Sequence, residues 1–258
     1  MATRNPRLLM SVHNAGRGGA ELMALAEAQF LQDFYELVIA IPDGPLRSDF
    51  ADCGELVPGS PRLPLYGAGP RRWASRSVRT AVDAVRLAAL IRRRGIELVL
   101  VNSMVSLSPL LAARLTGVPS ILNPRYDASQ ARDRWWRTFF PQVCALEGAL
   151  ASTVVAISDG IERQFSRAAR ARIVRIADGI PIPHLPAPNG NGFHRPLRLC
   201  MVGGIDPVKS QAVAIDALGR LGDRGLDATL ELVGAERDSA YASRLREQAE
   251  ALGVSARK

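Results

Sequence analysis

Short apolar runs alternate with longer stretches of helical period along the whole chain. The runs predict strands at 7–13, 36–41, 62–66, 97–102, 119–123, 152–157, 172–176, 197–202 and 228–234. The 3.6-residue pattern predicts helices at 19–33, 75–94, 105–116, 133–150, 158–168, 207–221 and 238–252. Runs such as "ELVLV" and "LRLCMV" have no polar alternation, which suits strands covered on both faces. Strand–helix alternation implies parallel sheets, hence an α/β chain.

Residues 178–196, "DGIPIPHLPAPNGNGFHRP", hold five prolines and three glycines, which excludes a helix or a central strand. This reads as a linker between a Rossmann-like domain over 1–177 and a second domain over 197–258. The second domain reads β-α-β-α and stops at "ALGVSARK", where a third strand is expected. So small a piece buries little surface, and the chain is expected to be a fragment or a truncated form.

Composition narrows the class. Of 258 residues, 47% are hydrophobic and 22% charged, which fits a packed core and not a disordered chain. Cys53, Cys144 and Cys200 lie far apart and match no metal spacing, so they read as buried thiols in a reducing compartment. The N-terminus reads as a first strand, not a signal peptide. A cytoplasmic protein, or one peripheral at the inner face of the cell membrane, is expected. The formal charge of +8 suits nucleic acid, an anionic membrane or phosphorylated ligands, and equally an arginine-rich solvated surface. Only two of the 33 basic residues are lysines, and Lys209 is the only internal one. An ammonium there is a compact point charge, unlike a guanidinium.

Strand ends carry the candidate chemistry, because open α/β sheets bind ligands at their carboxyl edge. "VHNAGRGGAE" (12–21) places Gly16, Gly18 and Gly19 between the first strand and helix. Such a loop permits close backbone approach to an anion, or is a plain tight turn. The dinucleotide pattern G-x-G-x-x-G fails because Glu21 stands at its third glycine. "VGGIDPVKS" (202–210) approaches a Walker A loop, yet Val208 replaces the glycine before the lysine and Pro207 removes an amide. Asp206 and Pro207 instead predict a helix start, with Lys209 in its first turn.

These segments together resemble glycosyltransferase family 4, of the GT-B fold, over essentially the whole chain. "GGAELMALAEAQFL" (18–31), "STVVAISDGIERQF" (152–165) and "IVRIADGIPI" (173–182) are similar to family segments. "CMVGGIDPVKSQAVAIDALGRL" (200–221) and "ATLELVGAERDSAYASRLREQAEALGV" (228–254) follow in the family's order and spacing. The resemblance implies a GT-B type α/β fold with a complete N-terminal Rossmann-like domain and an incomplete second one. It implies a retaining transferase with a nucleotide-sugar donor as substrate, no cofactor and no metal. The acceptor would be lipid-linked or a saccharide, in cell-envelope or polysaccharide synthesis.

By the same resemblance Lys209 would contact the donor diphosphate and offset charge on the leaving group. Gly18, Gly19 and Gly204 would complete the diphosphate-binding set. The family arginine beside the lysine is Gly204 here, so half of the cationic clamp is missing. The family's E-x7-E motif is absent, since no two glutamates stand eight positions apart. Donor binding by these 258 residues is therefore expected to be weak.

The acceptor side lacks the family histidine after strand 119–123; Asn123, Arg125 and Asp127 are the catalytic candidates there. "RDRWWRTFF" (132–140) gathers Trp135, Trp136, Phe139 and Phe140 among arginines. Trp135, Trp136 and Arg137 suit a membrane or acceptor contact, or the aromatics face the core. Residues 71–94 add eight arginines beside an apolar stripe at Val78, Val82, Val85 and Ala89. Two alternatives stay open: a non-catalytic GT-B remnant or partner subunit, and a basic Rossmann-like nucleic-acid binder. Nucleic acid is the least favoured partner.

Overall fold

A computed structural model describes residues 4–61, 70–125, 134–166, 172–179, 197–254 and 256–257. For 70–73, 134–137, 166 and 256–257 it gives helix or strand membership only. The chain divides into two compact units, Met1–Ile180 and Pro181–Lys258.

The first unit is built on a seven-stranded, all-parallel sheet of order β3-β2-β1-β4-β5-β6-β7. Its strands are β1 (Arg7–Val12), β2 (Glu36–Ile41), β3 (Glu55–Pro58), β4 (Leu98–Asn102), β5 (Ser120–Asn123), β6 (Thr153–Ala156) and β7 (Arg172–Arg175). Helices α1 (Gly19–Leu31), α2 (Arg47–Ala51), α3 (Pro70–Arg94), α4 (Ser108–Thr116), α5 (Arg134–Leu150) and α6 (Asp159–Ser166) follow the strands. The unalternated apolar runs arise because both faces are buried. Leu8, Met10 and Val12 pack with Ala24, Leu25 and Ala28 of α1 and Phe50 of α2. Leu9, Val99 and Val101 pack on the other face with Leu87 and Ile91 of α3, Phe140 of α5 and Phe165 of α6. Burying side chains of this size contributes about 1.5–3 kcal/mol each.

Several elements differ from the sequence reading. Helix α2 and strand β3 stand where none is expected, and residues 62–66, read as a strand, lie outside the described residues. β3 is a four-residue edge strand ending in Pro58, whose missing N–H is tolerated there. On α3 the stripe Val78, Val82 and Val85 faces solvent, at 62%, 64% and 65% exposure. The core side of that helix is Thr80, Asp83, Ala84, Leu87, Ala88 and Ile91. The polar members are bonded: Thr80 Oγ1 donates to Arg76 O, and Asp83 accepts from Ser108 of α4 at 2.6 Å.

The second unit has strands β8 (Leu197–Val202), β9 (Ala228–Val233) and β10 (Ala256–Arg257) in parallel order β10-β9-β8. Helices α7 (Gln211–Asp223) and α8 (Ser239–Ala251) cover one face, where Ile215, Leu218, Tyr241 and Leu245 pack with Leu230 of β9. "LRLCMV" is not covered on both faces: Cys200, Val202 and Val233 are exposed. The helix expected over 207–221 is two elements. Asp206 Oδ1 accepts from Val208 N at 2.8 Å, and Lys209 N donates to Asp206 O at 3.1 Å, closing a 3-10 turn at Pro207–Lys209. Ser210 then takes a left-handed conformation (φ 59°, ψ 33°), and the α-helix begins only at Gln211. Lys209 therefore precedes α7 and does not lie in its first turn.

Candidate functional site

The sheet order reverses between β1 and β4, and the carboxyl ends of these strands open the crevice where such sheets take ligands. Parallel register sets Val12 beside Asn102 and Asn102 beside Asn123. Ser103, just past β4, is buried with φ 114°, outside the comfortable range for a side-chain-bearing residue. Its N–H donates to Asn123 O at 3.0 Å, which holds it there. Strain of this kind concentrates where surrounding structure dictates a site.

Glu27 of α1 sits over this edge. It accepts from Asn102 Nδ2 at 2.8 Å, from Asn123 Nδ2 at 2.9 Å and from Arg125 Nη2. Arg125 also donates through Nη1 to Asp178, and its side chain is only 4% exposed. Burial pushes the Glu27 carboxyl above its ordinary range, against the opposing pull of Arg125 and Asn102, and Asp178 pushes the same way as burial. Among the described residues three polar atoms here are buried without a hydrogen-bond partner: Asn102 Oδ1, Asn123 Oδ1 and Arg125 Nε. A cavity of about 220 Å³ adjoins Glu27, Asn123 and Asp178, with Met23, Phe30 and Ile176 among its walls. The sequence-derived candidates Asn123 and Arg125 thus meet in one network, while Asp127 lies outside the described residues. Glu27 and Asp178 were not among the candidates; only the position of Glu27 on a largely apolar helix hints at a role.

At the β1 end, Gly18 flanks α1 as its N-cap and Gly19 opens the helix with free space at its Cα. The Glu21 carboxylate folds back against Gly18, lies 3.5 Å from His13 Nε2 and accepts from Asn14 Nδ2 at 3.2 Å. An anion approaching these amides would therefore meet a carboxylate already in place. For Trp135, Trp136 and Arg137 only the helix is described; Phe140, one turn on, is buried in the core.

In the second unit, β8 leads to Gly203 and Gly204, and the stem of Lys209 runs past Gly203 with Cγ 3.7 Å from where a Cβ would stand. Among the described residues Lys209 has no carboxylate partner. Gln211 Nε2 donates to Gly204 O at 2.8 Å, fixing the peptide from the side of α7. The Gly204 N–H has no acceptor among the described residues. No group of three or more His, Cys, Asp and Glu side chains is placed to hold a metal among the described residues, and no helix there is long and apolar enough to cross a membrane.

Sequence comparison matches no protein-family model and no curated protein. Solved structures do match over nearly the whole chain. HepE of Anabaena in complex with UDP and glucose is 20% identical, with a TM-score of 0.68, over 96% of this chain and 67% of its own. The lipopolysaccharide outer core galactosyltransferase WaaB is 14% identical, with a TM-score of 0.65, over 96% of this chain and 65% of its own. A glycosyltransferase from Rickettsia africae ESF-5 is 15% identical, with a TM-score of 0.67, over 99% and 68%. The chain thus has an α/β fold of the GT-B type and spans about two thirds of the length of these three proteins.

Proposed function

We propose that this chain belongs to a glycosyltransferase of family 4 type, which moves a sugar from a nucleotide-sugar donor to a lipid-linked or saccharide acceptor with retention. The activity is proposed for the whole protein, since the described elements span about two thirds of the compared chains. One observation supports it most: the Lys209 stem runs past Gly203 at the carboxyl end of β8, with Cε 3.9 Å from where a Cβ would stand, and among the described residues neither its ammonium nor the Gly204 N–H has a partner. Lys209 and the Gly204 amide would hold the donor diphosphate, and the lysine would offset the charge that builds on it as the glycosidic bond breaks. Gly18 and Gly19 of the first unit would offer their amides to a phosphate once the Glu21 side chain moves aside. In the first unit, the cavity beside Glu27, Asn123 and Asp178 would take part of the acceptor, with Asn123 Oδ1 as a hydrogen-bond acceptor.

A peripheral contact with an anionic membrane is part of this reading. Val78, Val82 and Val85 form one exposed face of α3, and Arg79, Arg92 and Arg93 on that helix are exposed as well. A partner subunit without turnover is the second reading. It is favoured by the engagement of Arg125 with Glu27 and Asp178, which leaves that guanidinium little freedom for substrate. Incubating the full protein with UDP- and GDP-sugars and a lipid extract separates the two. Release of nucleoside diphosphate with an α- or β-anomer matching the donor by NMR supports the transferase. No release with any donor refutes it.

A further inference from the structure

Outside the features already used, one cation of the second unit stands against the Gly204 loop. Arg237 lies in the loop between β9 and α8, 33 positions from Gly204 in sequence. Backbone pairing brings the two loops together. Gly203 N donates to Val233 O at 2.8 Å, Ile205 N to Ala235 O at 2.8 Å, and Arg237 N returns to Ile205 O at 3.1 Å. Gly234 makes this approach possible, because a Cβ there would collide with the Gly203 carbonyl.

The consequence is a guanidinium laid across Gly204. A Cβ on residue 204 would stand 2.8 Å from Arg237 Nε and 2.9 Å from its Cδ. Arg237 is exposed, and among the described residues it has no carboxylate or hydrogen-bond acceptor for its side chain. Its neighbour Glu236 pairs with Arg246 at 3.0 Å, and Asp238 caps α8 by accepting from Tyr241 N at 2.9 Å. The nearby acids are thus engaged elsewhere, while Lys209 and Arg237 run past consecutive residues of one loop. Among the described residues neither cation has a carboxylate partner, so an anion at this point would meet a lysine and an arginine arriving from two different loops.

We propose that Arg237 is the second cation of the diphosphate site, reaching across the side-chain-free Gly204 to bind the same phosphates as Lys209. The proposal rests on the nucleoside-diphosphate reading above. Lys209 supplies a point charge, and Arg237 supplies a planar fork suited to two phosphate oxygens. Gly204 is then required for space: any side chain there would push the guanidinium aside.

The test is calorimetric titration of inorganic pyrophosphate, UDP and uridine into the protein and into Arg237→Ala, Lys209→Ala, Gly204→Ala and the Gly204→Ala/Arg237→Ala double variant. Loss of a charge-assisted contact should weaken pyrophosphate and UDP about 10-fold in Arg237→Ala and leave uridine unchanged. Gly204→Ala should weaken both phosphates roughly 5-fold alone, with no further effect in the Arg237→Ala background, which is the coupling expected of a shared contact. Unchanged melting of Arg237→Ala confirms that an exposed side chain was removed without unfolding. If Lys209→Ala weakens UDP and Arg237→Ala does not, the role of Arg237 is refuted and the diphosphate reading stands. If neither substitution matters, or the unsubstituted protein binds neither phosphate, both fall.

Discussion

Replacing Arg125 with methionine isolates the buried polar network of the first unit. Arg125 is 4% exposed and lies between Glu27 and Asp178, whose side chains are 28% and 31% exposed. Its removal leaves two carboxylates together with no counter-charge, along with the amides of Asn102 and Asn123. Removing one partner of a buried ion pair costs about 3–5 kcal/mol, and partial exposure of both acids favours the lower end. For a unit of 180 residues, 3 kcal/mol is a fall in Tm of roughly 6–12 °C. The pH dependence carries a sign. Burial already raises Glu27 above its ordinary range, and Arg125 opposes that rise, so its loss raises Glu27 further. Folded Glu27 then keeps a proton that the unfolded chain releases above about pH 4.5. The stability deficit of Arg125→Met therefore widens as pH rises from 5 to 8, by at most about 1.4 kcal/mol per pH unit. Thermal melting gives the fall in Tm, and urea unfolding followed by circular dichroism at pH 5 and pH 8 gives the pH dependence of the deficit. A Tm within about 2 °C of the unsubstituted protein, or a deficit equal at the two pH values, would refute the view that Arg125 organises this edge.

Two further outcomes follow from single residues. Glu147 of α5 is fully buried, both carboxyl oxygens lack a hydrogen-bond partner among the described residues, and burial raises it well above the ordinary carboxylate range. It should hold its proton in the fold, so stability declines above about pH 4.5 by up to ~1.4 kcal/mol per unit, and Glu147→Met should flatten that decline in urea titrations. Gly234→Ala places a methyl group against the Gly203 carbonyl and should cost roughly 3 kcal/mol in the second unit, read as earlier unfolding of that unit by hydrogen exchange, with pyrophosphate affinity lost alongside.

What the sequence made legible follows element size. Long periodic stretches gave the alternation of strands and helices, because unalternated apolar runs follow from burial on both faces. β3 escapes this reading: four residues carry no period, and parallel pairing alone defines it. The split at Ser210 escapes it too, since nothing in "DPVKS" announces a left-handed serine. The valines of α3 share the spacing of a core stripe, yet Thr80 and Asp83 face inward because each finds a hydrogen bond there. At the site, motif spacing pointed to Lys209 and Gly204, and the strand end pointed to Asn123 and Arg125. Glu27, Asp178 and Arg237 were illegible because tertiary pairing alone brings them to these positions: Arg125 reaches back 98 residues to Glu27 and ahead 53 to Asp178.

The central claim is that Lys209 and its loop recognise a nucleoside diphosphate. Phosphorus NMR of UDP measures this most directly, through the β-phosphorus resonance with and without the protein. The β-phosphorus is expected to shift or broaden in a way that saturates with protein, weakens with added salt and is largely lost in Lys209→Ala. An unperturbed β-phosphorus, or a perturbation equal in Lys209→Ala, would contradict it.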